Sequence, residues 1–292
     1  MKLDFDFKDK KLIFVSGKGG TGKTSFSVLL AEKASSQGRK VLLVEQSNEP
    51  LLPHVIDGTS SSVDVLNLGL ENAFKEFVCE YMGQPFLYEK IFNNESIRTF
   101  LRTIPGLPET MVLGKLYYTL EVEKPQKYDL VIFDSPASGH FYNLILTPQT
   151  IISSGLGGPF IKEVEKIDSF LRKPSTSIVL LTLPEPLVAS ETAEYVKKIH
   201  SLEGFKVGCL VRNKWFKTDD QNLLDLKRFP HLHRFFEKDL MKQKAAERLL
   251  SDALSGEEVI QVTVGYEDDI AIKPIVSPSN RSDTSNTGEL NP

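Results

Sequence analysis

The sequence predicts an α/β protein built on a mostly parallel, doubly wound sheet. Short apolar runs typical of buried strands alternate along the chain with longer runs of helical periodicity. The first apolar run leads directly into a glycine-rich turn, and a later run ends in the carboxylate of Asp134. Alternating strands and helices favour a parallel sheet with helices on both faces, and polar residues that follow the strands then gather at one edge.

The predicted strands are short and apolar, as strands buried on both faces are. They are expected at 12–15, 40–45, 130–134, 178–183, 205–211 and 259–264. The predicted helices repeat apolar residues at three- and four-residue steps, and they fall at 25–35, 160–171, 187–199 and 240–254. The segment from Ser135 to His140 is predicted to be a tight loop.

A helical insertion is predicted between the second and third of these strands, over about residues 63–124. Apolar and aromatic side chains recur there at helical steps, and Pro105-Gly106 interrupts the pattern. A second, shorter helical segment is expected at about 141–173. The domain is predicted to span 10–264. Residues 265–292 are predicted to be a disordered tail, because Ser, Asn, Thr, Asp and Pro dominate the chain from about Pro274.

The turn after the first strand carries the pattern G-x-x-x-x-G-K-T at Gly17–Thr24. Glycines allow successive backbone N–H groups to converge on one anion, and the following helix points its positive end at the same place. Lys23 can reach a terminal phosphate, and the Thr24 hydroxyl can bind Mg²⁺. The residues predicted to bind the nucleotide from this loop are Gly17, Lys18, Gly19, Gly20, Thr21, Gly22, Lys23, Thr24 and Ser25.

The same glycines fit a second pattern. Gly17, Gly19 and Gly22 satisfy G-x-G-x-x-G, and Glu45 ends the next strand, which is the outline of a dinucleotide-binding fingerprint. A dinucleotide-binding oxidoreductase is therefore an alternative, although it leaves the Lys23-Thr24 pair unexplained.

The carboxylate of Asp134 is the second part of the predicted site. It ends an apolar strand well after the phosphate loop, where a nucleoside triphosphatase holds Mg²⁺ through a water molecule. Asp134 would then complement Thr24 at the metal. The combined pattern predicts that the chain uses ATP and Mg²⁺.

These motifs resemble those of the ArsA-type ATPases, which are related to ParA and MinD. Lys18 gives the K-G-G-x-G-K-[ST] form of the phosphate loop, known as the deviant Walker A motif, and residues 134–140 resemble the second switch, usually D-T-A-P-T-G-H. Residues 105–109 and 183–191 are similar to two further segments of that family, and the resemblance covers about residues 10–255. The family contains arsenite-pump ATPases and ATPases that target tail-anchored membrane proteins.

The resemblance implies a dimer that closes face to face over ATP, with catalytic roles for Lys18, Lys23 and Asp134. The chain has one phosphate loop, so it would be half of a homodimer or of a heterodimer with an ArsA-type paralogue. Lys18 would reach the partner's nucleotide, or else be an ordinary exposed lysine. Asn213 falls where the family reads adenine, and His140 is either a switch residue or a locally packed one. The client would be an unidentified protein, or one associated with a membrane.

The sequence also departs from that family. Two distant cysteines, Cys79 and Cys209, supply neither the cysteine cluster of arsenite pumps nor a zinc-binding CxxC. Only about 35 residues separate His140 from the next strand, and the chain has 4 Met, so a Met-rich client groove is not expected. We therefore expect neither arsenite binding nor structural zinc. The apolar, glycine-rich segment 151–160 is either a reduced remnant of the groove or a mobile loop.

The segment after the second strand, which corresponds to the first switch of the family, predicts the rate of hydrolysis. The family usually follows its second strand with S-T-D-P, and aligning the strands places Ser47 where the Asp that orients the attacking water should be. A serine hydroxyl is a poor base, and losing a positioned base costs about 10²–10⁴ in rate. We predict slow hydrolysis with Glu49, rather than Glu45, as the replacement base. A nucleotide-binding regulatory subunit that pairs with an active paralogue is the alternative.

Composition excludes several other classes. The net charge is −4, so there is no basic footprint for nucleic acid. The first six residues are acidic and lack an apolar core, so a signal peptide is not expected, and no apolar run approaches the length of a membrane span. Two cysteines without a CxxC motif suit a reducing compartment, so a cytoplasmic location is expected.

Overall fold

A computed structural model describes residues 7–46, 52, 63–68, 106–123, 125–155, 157–216 and 230–265. Its strands are β1 (Leu12–Gly17), β2 (Val41–Glu45), β3 (Val63–Asn67), β4 (Leu130–Asp134), β5 (Thr176–Thr182), β6 (Val207–Trp215) and β7 (Ile260–Gly265). They form one sheet in the order β3-β2-β4-β1-β5-β6-β7, and every neighbouring pair is parallel. The predicted α/β fold with a parallel sheet is confirmed.

Helices cover both faces of this sheet. They are α1 (Lys23–Ser36), α2 (Leu107–Tyr117), α3 (Ser138–Ser153), α4 (Pro159–Leu171), α5 (Pro186–His200) and α6 (Pro230–Ala253), and a π-helical turn at Tyr118–Val122 continues α2. The apolar cluster on one face of the sheet includes buried residues of α1, and the cluster on the other face includes buried residues from each of α2 to α6. This two-sided covering makes the fold doubly wound.

The alternation of side chains along β1 explains why its sequence is continuously apolar. Leu12 and Phe14 belong to the cluster shared with α2 to α6, whereas Ile13 and Val15 belong to the cluster shared with α1. All four are fully buried. Because successive residues of a strand point to opposite faces, a strand covered on both sides needs an apolar residue at every position.

The start of the predicted helical insertion is wrong, because residues 63–67 form a strand. β3 pairs in parallel with β2, with Val63 beside Val41 and Asn67 beside Glu45. The exposed Asp64 accepts a hydrogen bond from the Tyr128 hydroxyl at 2.7 Å. The described helical part of the insertion is α2 with its π-helical turn, and the predicted helical stretches within 69–105 lie outside the described residues.

Two other predicted boundaries change. The loop predicted from Ser135 to His140 already becomes helical at Ser138, where α3 begins. The last helix begins at Pro230 instead of Leu240, with proline in the first turn, where its missing N–H costs nothing. The remaining predicted strands and helices agree with the structure to within a few residues, and the predicted tail beyond Gly265 lies outside the described residues.

α6 is attached to the end of β6 by a buried glutamine. Gln243 accepts a hydrogen bond from the Phe216 N–H at 2.8 Å and donates one to the Phe216 carbonyl at 3.0 Å. Arg212 of β6 forms an ion pair with Glu247 of α6 at 3.0 Å. The side-chain amide therefore pairs with the backbone as a neighbouring strand would, and it fixes the chain just after β6.

None of the helices described is both long enough and apolar enough to pass through a bilayer. The longest of them, α6, is 24 residues long and rich in charged side chains.

Candidate nucleotide-binding site

The glycine-rich loop joins the central strand β1 to α1, as predicted. Gly17 has a φ of 151°, and a Cβ there would lie 2.6 Å from the backbone oxygen of Leu181 on β5. Gly22 has a φ of 90°, and a Cβ there would lie 2.4 Å from the side-chain nitrogen of Asn213. At Gly17 both conformation and space exclude a side chain, whereas at Gly22 the positive φ strains any other residue and a Cβ would displace the Asn213 amide.

Internal hydrogen bonds curl the loop around the Lys18 carbonyl. This oxygen accepts hydrogen bonds from the Thr21 hydroxyl at 2.8 Å and from the Lys23 ammonium at 3.4 Å. Burial lowers the pKa of Lys23, while the nearby Asp134 carboxylate acts in the opposite direction. The Lys23 ammonium thus lies at the mouth of the loop, where a bound phosphate would stabilise its charge. Ser25 follows in the first turn of α1 and is half-buried.

Thr24 and Asp134 meet beside this lysine. The Thr24 hydroxyl donates a hydrogen bond of 2.6 Å to one oxygen of Asp134, and the Ser27 hydroxyl donates one of 3.3 Å to the other. Burial raises the pKa of Asp134, and the hydrogen bond from Thr24, the charge of Lys23 and the hydrogen bond from Ser27 partly oppose that rise. Oxygen ligands of this kind suit Mg²⁺, which prefers a carboxylate, a hydroxyl, water and phosphate. The residues present therefore fit the ion.

A second carboxylate ends the neighbouring strand. Glu45 of β2 pairs in register with Asp134 of β4. Glu45 is only 4% exposed. Its side chain accepts a hydrogen bond from the Leu52 N–H at 3.4 Å, and its charge contributes to the raised pKa of Asp134. A carboxylate buried in this way is poorly placed to bind a ribose hydroxyl, which weighs against the dinucleotide-binding alternative.

The segment after Asp134 is tied both to the loop strand and to α5. The Ser16 hydroxyl donates to the Pro136 carbonyl at 3.1 Å, and the Ser135 N–H donates to the Val15 carbonyl at 3.0 Å. The Tyr195 hydroxyl of α5 donates to the Ser138 carbonyl at the start of α3. Sequence reasoning missed Ser16 and Tyr195, because only the fold brings them to this segment. His140 is exposed in the first turn of α3.

Asn213 lies on the β6 side of the loop. Its amide nitrogen donates to the Thr21 carbonyl at 2.8 Å, and its amide oxygen accepts from the Lys214 N–H at 2.9 Å. Lys214 has a φ of 59°, the positive value that side chains rarely adopt. Asn213 is thus brought to the loop, as the sequence predicted, and its role in reading adenine stays a prediction.

Lys18 is held within its own chain. Its ammonium lies 2.6 Å from a carboxylate oxygen of Glu191 on α5, and both side chains are about half exposed, at 44% and 48%. Exposed ion pairs of this type contribute about 0–1 kcal/mol, so the contact is easily exchanged for another. Glu191 could be noticed from sequence only as the last residue of a family-like segment. Glu49 and Ser47 lie outside the described residues.

The thiol of Cys209 is buried in β6, and burial raises its pKa to about 12. A protonated, enclosed thiol is a poor metal ligand. Cys79 lies outside the described residues, so the expectation of neither arsenite nor structural zinc stays a prediction.

The sequence matches the family described as the CobQ/CobB/MinD/ParA nucleotide-binding domain over residues 12–276. The chain belongs to this family. Because the match includes the loop, Asp134 and Asn213 on one parallel sheet, the predicted relationship to the ParA/MinD group is confirmed.

Relatives in the CobQ/CobB/MinD/ParA family point to the ArsA branch by their names. The chain is 26% identical to the ATPase BagA of Mycobacterium tuberculosis, over 70% of the chain and 65% of that protein. It is 27% identical to a putative arsenical pump-driving ATPase 2 of Aquifex aeolicus, over 64% and 62%, respectively. It is 28% identical to the ATPase ASNA1 homolog 2 of Paramecium tetraurelia, over 50% and 46%. The chain thus spans less than two thirds of each relative's length.

Proposed function

We propose that the chain is a Mg²⁺-dependent ATPase that acts as a dimeric switch of the ArsA type. The observation that carries this proposal is the hydrogen bond of 2.6 Å between Thr24 and Asp134, at the mouth of a complete phosphate loop. Thr24 would bind Mg²⁺ directly and Asp134 through water, while Lys23 and the loop N–H groups would bind phosphate. Bound Mg²⁺ would stabilise charge on the transferred phosphoryl group. The proposed location is the cytoplasm, where thiols stay reduced.

The proposed switch would act on the helical region through α3. Asp134 is four residues before Ser138, where α3 begins, and Phe141 of α3 lies 5.3 Å from Phe14 of β1 between ring centroids. Farther along α3, Thr147 packs against Gly106, so closely that a Cβ on this glycine would lie 2.6 Å from the Thr147 methyl group. A shift of α3 would therefore move the start of α2, and with it the insertion to which a protein partner would bind.

Dimerisation is the first test of this proposal. We propose that Lys18 leaves Glu191 to contact the nucleotide of the partner subunit, in a homodimer or with a paralogue. Sedimentation equilibrium with a non-hydrolysable ATP analogue and Mg²⁺ should show a dimer, and Lys18→Ala should weaken it. Glu191→Gln should strengthen the dimer, because it releases Lys18. Glu194→Gln, an exposed change on the same helix, is the matched control. A monomer with every nucleotide, alone and with paralogues, would contradict the proposal.

Hydrolysis is expected to be slow, because Ser47 takes the place of the carboxylate that orients water in the family. Adding this carboxylate with Ser47→Asp should raise the steady-state rate by about 10²-fold or more. Glu49→Gln should lower the remaining rate if Glu49 is the replacement base. A fast parent enzyme, unaffected by Glu49→Gln, would refute both statements. A chain that binds ATP, yet hydrolyses it only when mixed with a paralogue, would favour the regulatory-subunit alternative.

A further inference from the structure

The helix α6 has an inner and an outer side of different character. Its inner side is buried through Gln243, Ala246 and Leu250, which contact the end of β6 and the apolar cluster shared with α5. Its outer side is a row of exposed residues at three- and four-residue steps, which a helix places on one face. This row, here termed the basic stripe, consists of Arg234, Lys238, Met241, Lys242, Ala245, Arg248, Leu249 and Asp252.

The apolar members of the basic stripe are unusually exposed. Met241 is 70% exposed and Leu249 is 40% exposed, and Phe235 beside the stripe is 60% exposed. Half of the six large apolar side chains that are exposed in the described chain therefore belong to this one helix. Single exposed apolar residues need no explanation, but several on one helix face mark a binding surface.

The charge of the basic stripe is opposite to that of the chain. Four cations and one carboxylate give the stripe a formal charge of +3, whereas the whole chain carries −4. Lys242 is paired with Asp239 at 2.9 Å. In the described part of the chain, Arg234, Lys238 and Arg248 have no ion pair. The positive charge of the stripe is therefore mostly uncompensated.

We propose that the basic stripe of α6 docks on an anionic lipid bilayer. The stripe runs along about 27 Å of α6, at 1.5 Å per residue. Apolar and cationic residues alternate along this whole length instead of forming one apolar centre with a charged rim. A surface of uniform negative charge with an apolar layer beneath fits this pattern, as in helices that lie in the membrane interface. A folded acidic partner would instead match a more localised pattern.

The two components make different contributions. Cations beside the bilayer are attracted by the negative surface potential. This attraction falls off over about one Debye length from the surface, and added salt shortens that length. Met241, Leu249 and Phe235 would enter the layer between headgroups and acyl chains. Docking therefore needs both components, and it leaves the inner side of α6 on β6 undisturbed.

Vesicle flotation with the full chain tests this proposal. The protein is mixed with vesicles of phosphatidylcholine alone, or of phosphatidylcholine with phosphatidylglycerol, at low and high salt. Lys238→Glu/Arg248→Glu reverses two unpaired cations of the stripe, and Met241→Ser/Leu249→Ser removes its apolar component. Lys162→Glu/Lys166→Glu, at exposed positions of α4, is the charge-matched control. Thermal unfolding and ATP-analogue binding verify that each variant is folded.

We expect flotation with the anionic vesicles only, and less flotation at high salt. Reversing the two cations of the stripe should weaken binding by about tenfold or more, and the serine variant should also weaken it, while the α4 control should behave like the parent. Equal flotation with neutral vesicles, no flotation with either, or an α6 variant that binds like the control would overturn the proposal. So would retention on an acidic polypeptide resin by a protein that does not float with vesicles.

Discussion

Replacing Lys23 with alanine is expected to lower the affinity for Mg-ATP by about ten- to a hundredfold and to abolish measurable hydrolysis. A hydrogen bond to a charged group contributes about 1.5–3 kcal/mol, which corresponds to this range. Before nucleotide binds, the Lys23 ammonium contacts the Lys18 carbonyl at 3.4 Å, and burial lowers its pKa. The phosphate would replace this weak neutral contact with a strong ionic one.

The matched control is Lys33→Ala, in the last turn of the same helix. It also removes one lysine from α1, but at the end far from the loop. Isothermal titration with ATP and Mg²⁺ measures the affinity of both variants. Equal affinity of Lys23→Ala and the parent would refute the assignment of the loop as the phosphate site, whereas a loss of affinity in Lys33→Ala would indicate an effect on the helix itself.

Replacing Asp134 with asparagine is expected to have opposite effects on stability and on activity. The nucleotide-free protein should melt at a higher temperature than the parent. Burial raises the pKa of Asp134, which means that the ionised carboxylate destabilises the folded state. An asparagine can keep one hydrogen bond from Thr24 without carrying charge. Mg²⁺-dependent hydrolysis should fall by about 10²-fold or more, since the metal loses a carboxylate that orients its water shell.

The pH dependence of unfolding separates this account from a simple packing change. A carboxyl group with a raised pKa binds its proton more tightly in the folded state, so stability decreases as pH rises from its ordinary value of 3.8 through the raised value. This decrease should be smaller in Asp134→Asn than in the parent. Ser27→Ala, which removes only the weaker hydrogen bond to Asp134, is the control. An unchanged or lower melting temperature in Asp134→Asn would contradict the prediction.

Much of the sheet could be predicted because buried parallel strands have a clear sequence pattern. The strands Leu12–Gly17, Leu130–Asp134 and Thr176–Thr182 each contain four consecutive apolar residues, since both of their faces are covered. β3 was missed for the converse reason. It lies at the edge of the sheet, and its sequence Val-Asp-Val-Leu-Asn is mostly only partly buried, so its pairing with β2 defines it more than its apolar content does.

The site could be predicted only in part. The glycines of the loop, Lys23 and Thr24 could be recognised because phosphate binding needs these residue types at this spacing. Asp134 could be recognised because it ends an apolar strand. The contact between Lys18 and Glu191 joins residues far apart in sequence, so nothing local indicates it. The same is true of Gln243, whose pairing with Phe216 depends on where α6 crosses β6.

The position of β1 has a consequence for where the protein can open. β1 is paired on both sides, with β4 and with β5, and is covered on both faces. Amide protons of such a strand exchange with solvent only when the whole domain unfolds, whereas those of a helix end can exchange through local fluctuations. The phosphate loop therefore directly follows a strand whose amide protons are expected to exchange among the slowest in the domain. The start of α3, only a few residues beyond Asp134, is held by the hydrogen bond from Tyr195 to Ser138, and it can open locally while β1 stays folded.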